Sequence, residues 1–294
     1  MRALFFRSSL ITLLAASTAA AQRDTTFTWS KRIPDGGRLT IRSLNGPIEV
    51  RPSSSDRVEV RAEVHANSRG NASDMTFDVR ENSASDIEIC TVWQGRSVCD
   101  RDRDQSYNNV RASARFIVEL PKSLRFRGIT GNGDVNVQQT VGDVEITSGN
   151  GDVTIKESLG QVNVSTGNGD ITISAARGSV KASTGNGRVE ANTAKGPVEA
   201  MSGNGDINIR MASLPADAGP MSFHTGSGDV RLTLPGDFNG ELDANTGNGS
   251  IDSDFDIRVS GRINNTRLHG TVGNGNGPLV KLRSGNGRIV IRKG

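Results

Sequence analysis

Through the middle of this chain, aliphatic residues come in pairs with one polar residue between them. Val135-Asn136-Val137, Val144-Glu145-Ile146, Val153-Thr154-Ile155, Val162-Asn163-Val164 and Ile171-Thr172-Ile173 are consecutive cases. Such alternation is the period-two mark of a strand with one buried face. Six residues separate each pair from the next, as from Thr147 to Asp152. That gap can reverse the chain but cannot hold a helix.

Glycines keep the same beat. Gly133, Gly142, Gly151, Gly160, Gly169, Gly178, Gly187, Gly196 and Gly205 are nine residues apart. Every second one sits in a fuller signature: Thr130-Gly131-Asn132-Gly133-Asp134, Ser148-Gly149-Asn150-Gly151-Asp152, Thr166-Gly167-Asn168-Gly169-Asp170, then copies at Thr184 and Ser202. The repeat is therefore eighteen residues made of two unlike halves, and a fixed period of this kind marks a solenoid. The expected fold is all-β, a β-solenoid with about eighteen residues and two short strands per coil. Coils stack at ~4.8 Å, each strand pairing with its successor. A hexapeptide solenoid would repeat every six residues, so the period of nine favours two faces over three. One coil buries too few aliphatics to fold alone, and the stack is the unit of stability. The core is expected to thin at Ala182, Ala191 and Ala200. At the Gly-Asn-Gly corners, glycine and asparagine tolerate positive φ. Stacked corners would align Asn132, Asn150, Asn168, Asn186 and Asn204 into an amide ladder.

Three sections follow. Residues 1–21 read as a secretory signal peptide: Arg2 and Arg7, an apolar run from Leu10 to Ala16, and a small-residue cut at Ala19-Ala20-Ala21. The run is too short for a membrane span, and nothing later is apolar enough for one. Residues 22–127 read as a β-rich section holding a first coil (Leu39-Thr40-Ile41, Ile48-Glu49-Val50) and a cap. Its longer strands are Val58 to Val64, Met75 to Val79, Ile87 to Val92 and Phe116 to Leu120, and it holds most of the aromatics. A cap is needed because a bare sheet edge invites aggregation. Residues 128–294 are the repeats, with insertions near 212–218, 235–239 and 253–276 that read as side loops, a common place for binding. The last copy of the signature runs from Gly277 to Ile291.

Charge excludes one class. Without Arg2 and Arg7 the chain has 33 basic against 32 acidic residues, no excess of the kind that recognises nucleic acid. Cys90 and Cys99 are the only cysteines. A two-residue turn at Gln94-Gly95 would set them opposite each other at a non-hydrogen-bonded position, where a disulfide can close and export would permit it. A reactive thiol pair would show a tighter spacing.

Candidate chemistry is sparse. Asp134, Asp152, Asp170 and Asp206 would stack along one edge, with Arg188 interrupting. Like charges at that spacing repel by about 3.5 kcal/mol at an effective dielectric of 20. One reading is a calcium site, although the spacing differs from that of nonapeptide β-rolls. The other is a set of solvated turn carboxylates. His65, His224 and His269 sit in unrelated segments without metal-ligand spacing. Glu145, Glu190 and Glu199 point outward, as carboxylates on a glycan-cleaving groove would, but alternation puts polar residues there regardless. Gly-x-Gly here opens no helix, so a nucleotide site fails on context.

With these residues in view, the chain resembles a bacterial family of exported β-strand-repeat proteins, a domain of unknown function labelled as candidate adhesins. The resemblance rests on the leader, Leu44-Asn45-Gly46-Pro47-Ile48, and the strand Phe116-Ile117-Val118-Glu119-Leu120-Pro121-Lys122 leading into the repeats. The Leu234-Pro235 loop and the closing Ser284-Gly285-Asn286-Gly287-Arg288-Ile289 also fit. It implies a β-helix-like fold and a periplasmic or cell-surface location, and brings no catalytic residues. The expected function is that of an exported, non-enzymatic, adhesin-like or scaffold protein without a cofactor. Its partners would be surface polysaccharide or another envelope protein. Two alternatives stay open: a polysaccharide- or calcium-binding module along the Asn/Asp ladder, and a carbohydrate-active β-helix enzyme.

Overall fold

The computed structural model describes residues 23–100, 110–193, 196–215, 217–259 and 264–294. The expected leader, residues 1–21, lies outside them. The chain is a β-solenoid in which, among the described residues, two long sheets, one of 12 strands and one of 14, face each other across a single aliphatic core. Each coil gives one strand to each sheet. Val135, Val153, Ile171, Val189 and Ile207 stack in parallel register in the 12-stranded sheet. Val144, Val162, Val180 and Val198 do the same in the other. All nine are buried, as the alternation demands. Where Ala182, Ala191 and Ala200 narrow the core, the sheets still close over them, and Phe223 stacks on Ala200 in the next layer.

The order of the coils is not the order of the sequence. The strand Leu279–Asn286 lies between Met221–Ser227 and Gly240–Asn248, and Ile289–Lys293 lies between Val230–Leu234 and Ile251–Ser253. The last coil is thus inserted beneath the one that precedes it in sequence. The first coil is inserted likewise. Arg38–Asn45 sits between Arg125–Asn132 and Asp86–Trp93, and Ile48–Pro52 sits between Val135–Thr140 and Ala112–Leu120. Stacking each strand on its sequence successor therefore fails at both ends. The 253–276 excursion, read above as a side loop, instead folds over the end. Arg267–Val272 pairs antiparallel with Gly240–Asn248, and Ile257–Val259 pairs antiparallel with it in turn. Antiparallel return needs only a short connection, so segments drawn from between the coils cap the far end, while the first and last coils are locked inside the stack.

Two partly exposed ion pairs hold the inserted coil. Asp229 accepts the backbone N–H of Arg288 at 2.8 Å and its guanidinium at 3.1 Å, and Asp243 accepts Arg283 at 2.5 Å. Arg283 holds the Asp243 carboxyl below the usual carboxylate range. Burial alone would raise Asp229, but the bonds from Arg288 and the charge of Arg231 outweigh it and hold it low. A carboxyl depressed by folding adds stability that is full above its unfolded pKa and is lost as pH falls through the folded value. The melting temperature is therefore expected to drop between about pH 5 and pH 3, less steeply in a chain carrying Asp229→Asn with Asp243→Asn. Thermal melts across that range check it.

Cys90 and Cys99 are joined, with Cα atoms 5.7 Å apart. Gln94 and Gly95 both take positive φ (49° and 79°), as a tight hairpin turn requires, and Trp93 faces Arg96. Replacing both cysteines by serine is expected to cost about 2–3 kcal/mol, the loop entropy released by so short a crosslink, read as a fall in melting temperature.

Candidate functional site

The two long edges of the solenoid are built differently, because each is made of a different half of the repeat. One edge consists of the Ser/Thr-Gly-Asn-Gly-Asp corners. Asn132 donates to Asn45 at 2.7 Å, Asn150 to Asn132 at 2.8 Å, Asn168 to Asn150 at 2.7 Å, Asn186 to Asn168 at 2.7 Å and Asn204 to Asn186 at 2.9 Å. Ser227 interrupts the column, which resumes with Asn248 donating to Asn286 at 2.8 Å. The expected amide ladder is present and reaches further than the repeat alone suggested.

The aspartates of the same corners are structural acceptors. Asp134 takes the backbone N–H of Asp152 at 2.9 Å, Asp152 that of Asp170 at 2.8 Å, and Asp170 that of Arg188 at 2.7 Å. Asp206 takes the N–H of Asp229 at 2.9 Å and pairs with Arg231. Each carboxylate thus caps an amide of the next coil with one oxygen. Among the described residues, the one group of three or more His, Cys, Asp or Glu ligand atoms within 4.8 Å is Glu88, Cys90 and Cys99, and both of its sulfurs are in the disulfide.

A third column was not foreseen. The Ser/Thr that opens each signature is buried and donates to the carbonyl of the second corner glycine one coil away. Examples are Ser148 to Gly133 at 3.2 Å, Thr166 to Gly151 at 3.1 Å, Thr184 to Gly169 at 2.9 Å and Ser202 to Gly187 at 2.9 Å. A buried carbonyl without a partner costs stability, which is why a hydroxyl recurs there. The signal is a Ser or Thr in every copy of the signature at an inward position.

The glycines are more constrained than positive φ implies. Gly151, Gly169 and Gly187 have φ of 141°, 144° and 150°. A Cβ on Gly169 would also stand 2.2 Å from the carbonyl oxygen of Gly151. Gly167, whose φ lies outside the left-handed range, would meet the Gly149 oxygen at 2.5 Å. Corner backbone packs on corner backbone, leaving no room for a side chain.

The opposite edge is open. Gln139, Glu157 and Ala175 repeat there with φ of 49°, 57° and 53°, a left-handed bulge of about 1–2 kcal/mol each. Beside it, Val141 and Leu159 stand 46% and 47% exposed, the only large hydrophobics so exposed among the described residues. With Lys122, Glu157 and Arg177 they line a shallow hollow of ≈ 370 Å³. Further along the same edge, the insertions bring Leu214, Pro215, Pro235, Phe238 and Pro278 around a second one of ≈ 270 Å³.

The remaining candidates are dispersed. Glu145 and Glu199 lie on the 14-stranded sheet, ion-paired with Arg127 and Lys181, whereas Glu190 lies on the 12-stranded sheet. His65 pairs with Asp24 at 2.6 Å, and His224 and His269 sit on separate strands. No helix among the described residues is long and apolar enough to cross a membrane.

Several solved structures are similar at a distance, among them the following three. Two are described as candidate adhesins. The one from Bacteroides fragilis NCTC 9343 is 12% identical over 92% of this chain and 97% of that one (TM-score 0.46). The one from Parabacteroides distasonis ATCC 8503 is 10% identical with the same coverages (TM-score 0.45). A candidate cell adhesion protein from Clostridium sporogenes ATCC 15579 is 11% identical over 92% of this chain and all of that one (TM-score 0.28). No curated protein matches the sequence. The profile described as Toastrack DUF4097 matches residues 37–292, from the first inserted coil to the last. The chain is a member of the Toastrack DUF4097 family.

Proposed function

We propose that the protein is an exported, non-enzymatic scaffold of adhesin-like type that acts in the periplasm or at the cell surface. Its partner, a surface polysaccharide or another envelope protein, is met along the open edge. The observation that carries this reading is the contrast between the edges. The corner edge spends its amides, hydroxyls and carboxylates on its own stack, whereas the open edge carries exposed Val141 and Leu159 and the gathered insertions. The disulfide and the cleavable-leader pattern support export. The spread of Glu145, Glu190 and Glu199 over both faces supports binding over hydrolysis.

The test is an array of surface glycans and envelope proteins probed with the purified protein. Binding is expected to be lost with Val141→Asp plus Leu159→Asp and kept with Asp152→Ala plus Asp170→Ala. Binding that follows the aspartates, or release of cleaved glycan, would sink the proposal. The melting temperature is expected to be unchanged by chelator, since the corner carboxylates already hold amides. Fractionation of cells expressing the chain with and without residues 1–21 tests the location.

A further inference from the structure

The two ends of the stack are finished unequally. At one end the outermost strands are Ile251–Ser253 and Ile257–Val259, three residues each, and Arg292 pairs across to Asp252 and Asp254. Very short, charged edges are how a protein discourages pairing with another chain. At the other end the outermost strands among the described residues are Asp24–Lys31 and Met75–Ser83, eight and nine residues long. Both ends leave apolar residues partly buried, Ile251, Phe255, Ile257 and Leu268 at the first and a mainly aromatic group here. Phe27, Trp29, Phe77 and Val79 are only partly buried, with Phe27 stacked on Phe77 at 4.6 Å.

The register of Asp24–Lys31 decides what could pair with it. Ala66 donates to the Arg23 carbonyl at 2.8 Å, and Thr25, Phe27, Trp29 and Lys31 face Val64, Ala62, Val60 and Val58. In an antiparallel ladder these odd-numbered residues turn their backbone groups toward the inner strand, so Thr26, Thr28 and Ser30 turn theirs to the outer side. The Ser30 carbonyl takes Arg57 at 3.2 Å and has a second lone pair to offer.

A second copy laid antiparallel about a two-fold axis at Thr28 fits this edge at every position. Thr28 meets its own equivalent and Thr26 meets Ser30, exchanging about six backbone hydrogen bonds. On the core side Phe27 comes opposite Trp29, at the non-hydrogen-bonded positions where side chains approach most closely. On the outer side Asp24 comes opposite Arg32. The nearest face-preserving alternative, centred on Phe27, would set Arg23 against Lys31. Asp24 pairs with exposed His65 and Arg32 with exposed Asp56, and exposed pairs of this kind are cheaply exchanged.

The geometry points to an end-to-end homodimer, in which the Asp24–Lys31 strands of two copies pair antiparallel and fuse their 12-stranded sheets. The dimer covers the aromatic end of both cores and leaves both open edges accessible. It stands whether or not the open edge binds envelope partners. Because a two-fold contact is closed and the far end is blunted, assembly stops at two copies.

Sedimentation velocity of the purified protein at about 100 µM, which populates even a Kd of ~10 µM, is expected to show a dimer. Thr28→Pro removes an outward N–H that the inner strand does not use, and edge strands tolerate proline. It is expected to weaken association at least tenfold with little change in melting temperature. Asp24→Arg is expected to weaken it comparably, and Asp24→Arg with Arg32→Asp to restore it. Thr28→Cys, on the axis, is expected to form a symmetric disulfide between copies under oxidation. A monomer at that concentration, a dimer that survives Thr28→Pro, or a charge swap that fails to rescue would each overturn the proposal.

Discussion

Gly169→Ala is expected to be among the most damaging single substitutions in the chain. It places a Cβ 2.2 Å from the Gly151 carbonyl oxygen and forces alanine to φ 144°. Backbone strain of that kind costs of order 1–3 kcal/mol, and the clash is with main chain that is fixed by the coil beside it. Together they are expected to exceed about 4 kcal/mol, the range of a severe core defect. Two companion variants separate the causes. Gly167→Ala has the clash without the strained φ, at 2.5 Å from the Gly149 oxygen, and is expected to cost about 2–4 kcal/mol. Gly95→Ala has a positive φ of 79° with nothing within 4 Å, and is expected to cost only about 1 kcal/mol. Denaturant melts of the three should rank them in that order. A Gly167→Ala chain as stable as the native one would contradict backbone-on-backbone packing at the corners.

Removal of residues 277–294 is expected to be equally severe, and for a reason specific to this fold. In a sequential stack, that segment would be the outermost coil, and trimming it would leave everything beneath intact. Here it carries Val280, Leu282, Ile289 and Ile291, all fully buried between two other coils. At roughly 1.5–3 kcal/mol each, their loss alone approaches the ~5–15 kcal/mol by which a typical domain is stable. The coil at Gly240–Ser253 and the hairpin over it lose the surface they stand on. Amide exchange in the truncated chain is expected to show no protection from Gly240 to Val272, with Val135 to Met211 still protected. Persistent protection of the Gly240–Val272 segment would refute the inserted order.

Much of this was legible in the residues, and the physics says why. A nine-residue beat of glycine with alternating aliphatics admits few structures, so the two-faced coil, the buried valine columns and the Asn ladder could be read directly. The Cys90–Cys99 pairing followed from the Gln94-Gly95 turn. Coil order could not be read, because the copies at Gly219, Gly240 and Gly277 offer nearly the same strand to any neighbour. What decides their order is the short antiparallel return at 253–276, whose apolar residues, Phe255, Ile257, Val259, Ile263, Leu268 and Val272, are too scattered in sequence to announce a cap. The edge strand Asp24–Lys31 gives little signal, because its inward face holds only Phe27 and Trp29 beside Thr25 and Lys31. The Ser/Thr column is not legible in sequence, because a hydroxyl at an inward position resembles a weak core residue until its carbonyl partner is seen. As for the open edge, Val141 and Leu159 look like ordinary strand residues in sequence. Only the left-handed turn at Gln139 and Glu157 brings them to the surface.

The most direct test is a pair of engineered cysteines that reports which coil lies against which. Thr233 stands beside Arg292 on adjacent strands, whereas sequential stacking would put Thr233 beside Asp254. Thr233→Cys with Arg292→Cys is expected to form a disulfide on mild oxidation. Thr233→Cys with Asp254→Cys, two strands apart at ~9.6 Å, is expected to stay reduced, beyond the reach of a disulfide. The reverse outcome would contradict the inserted last coil.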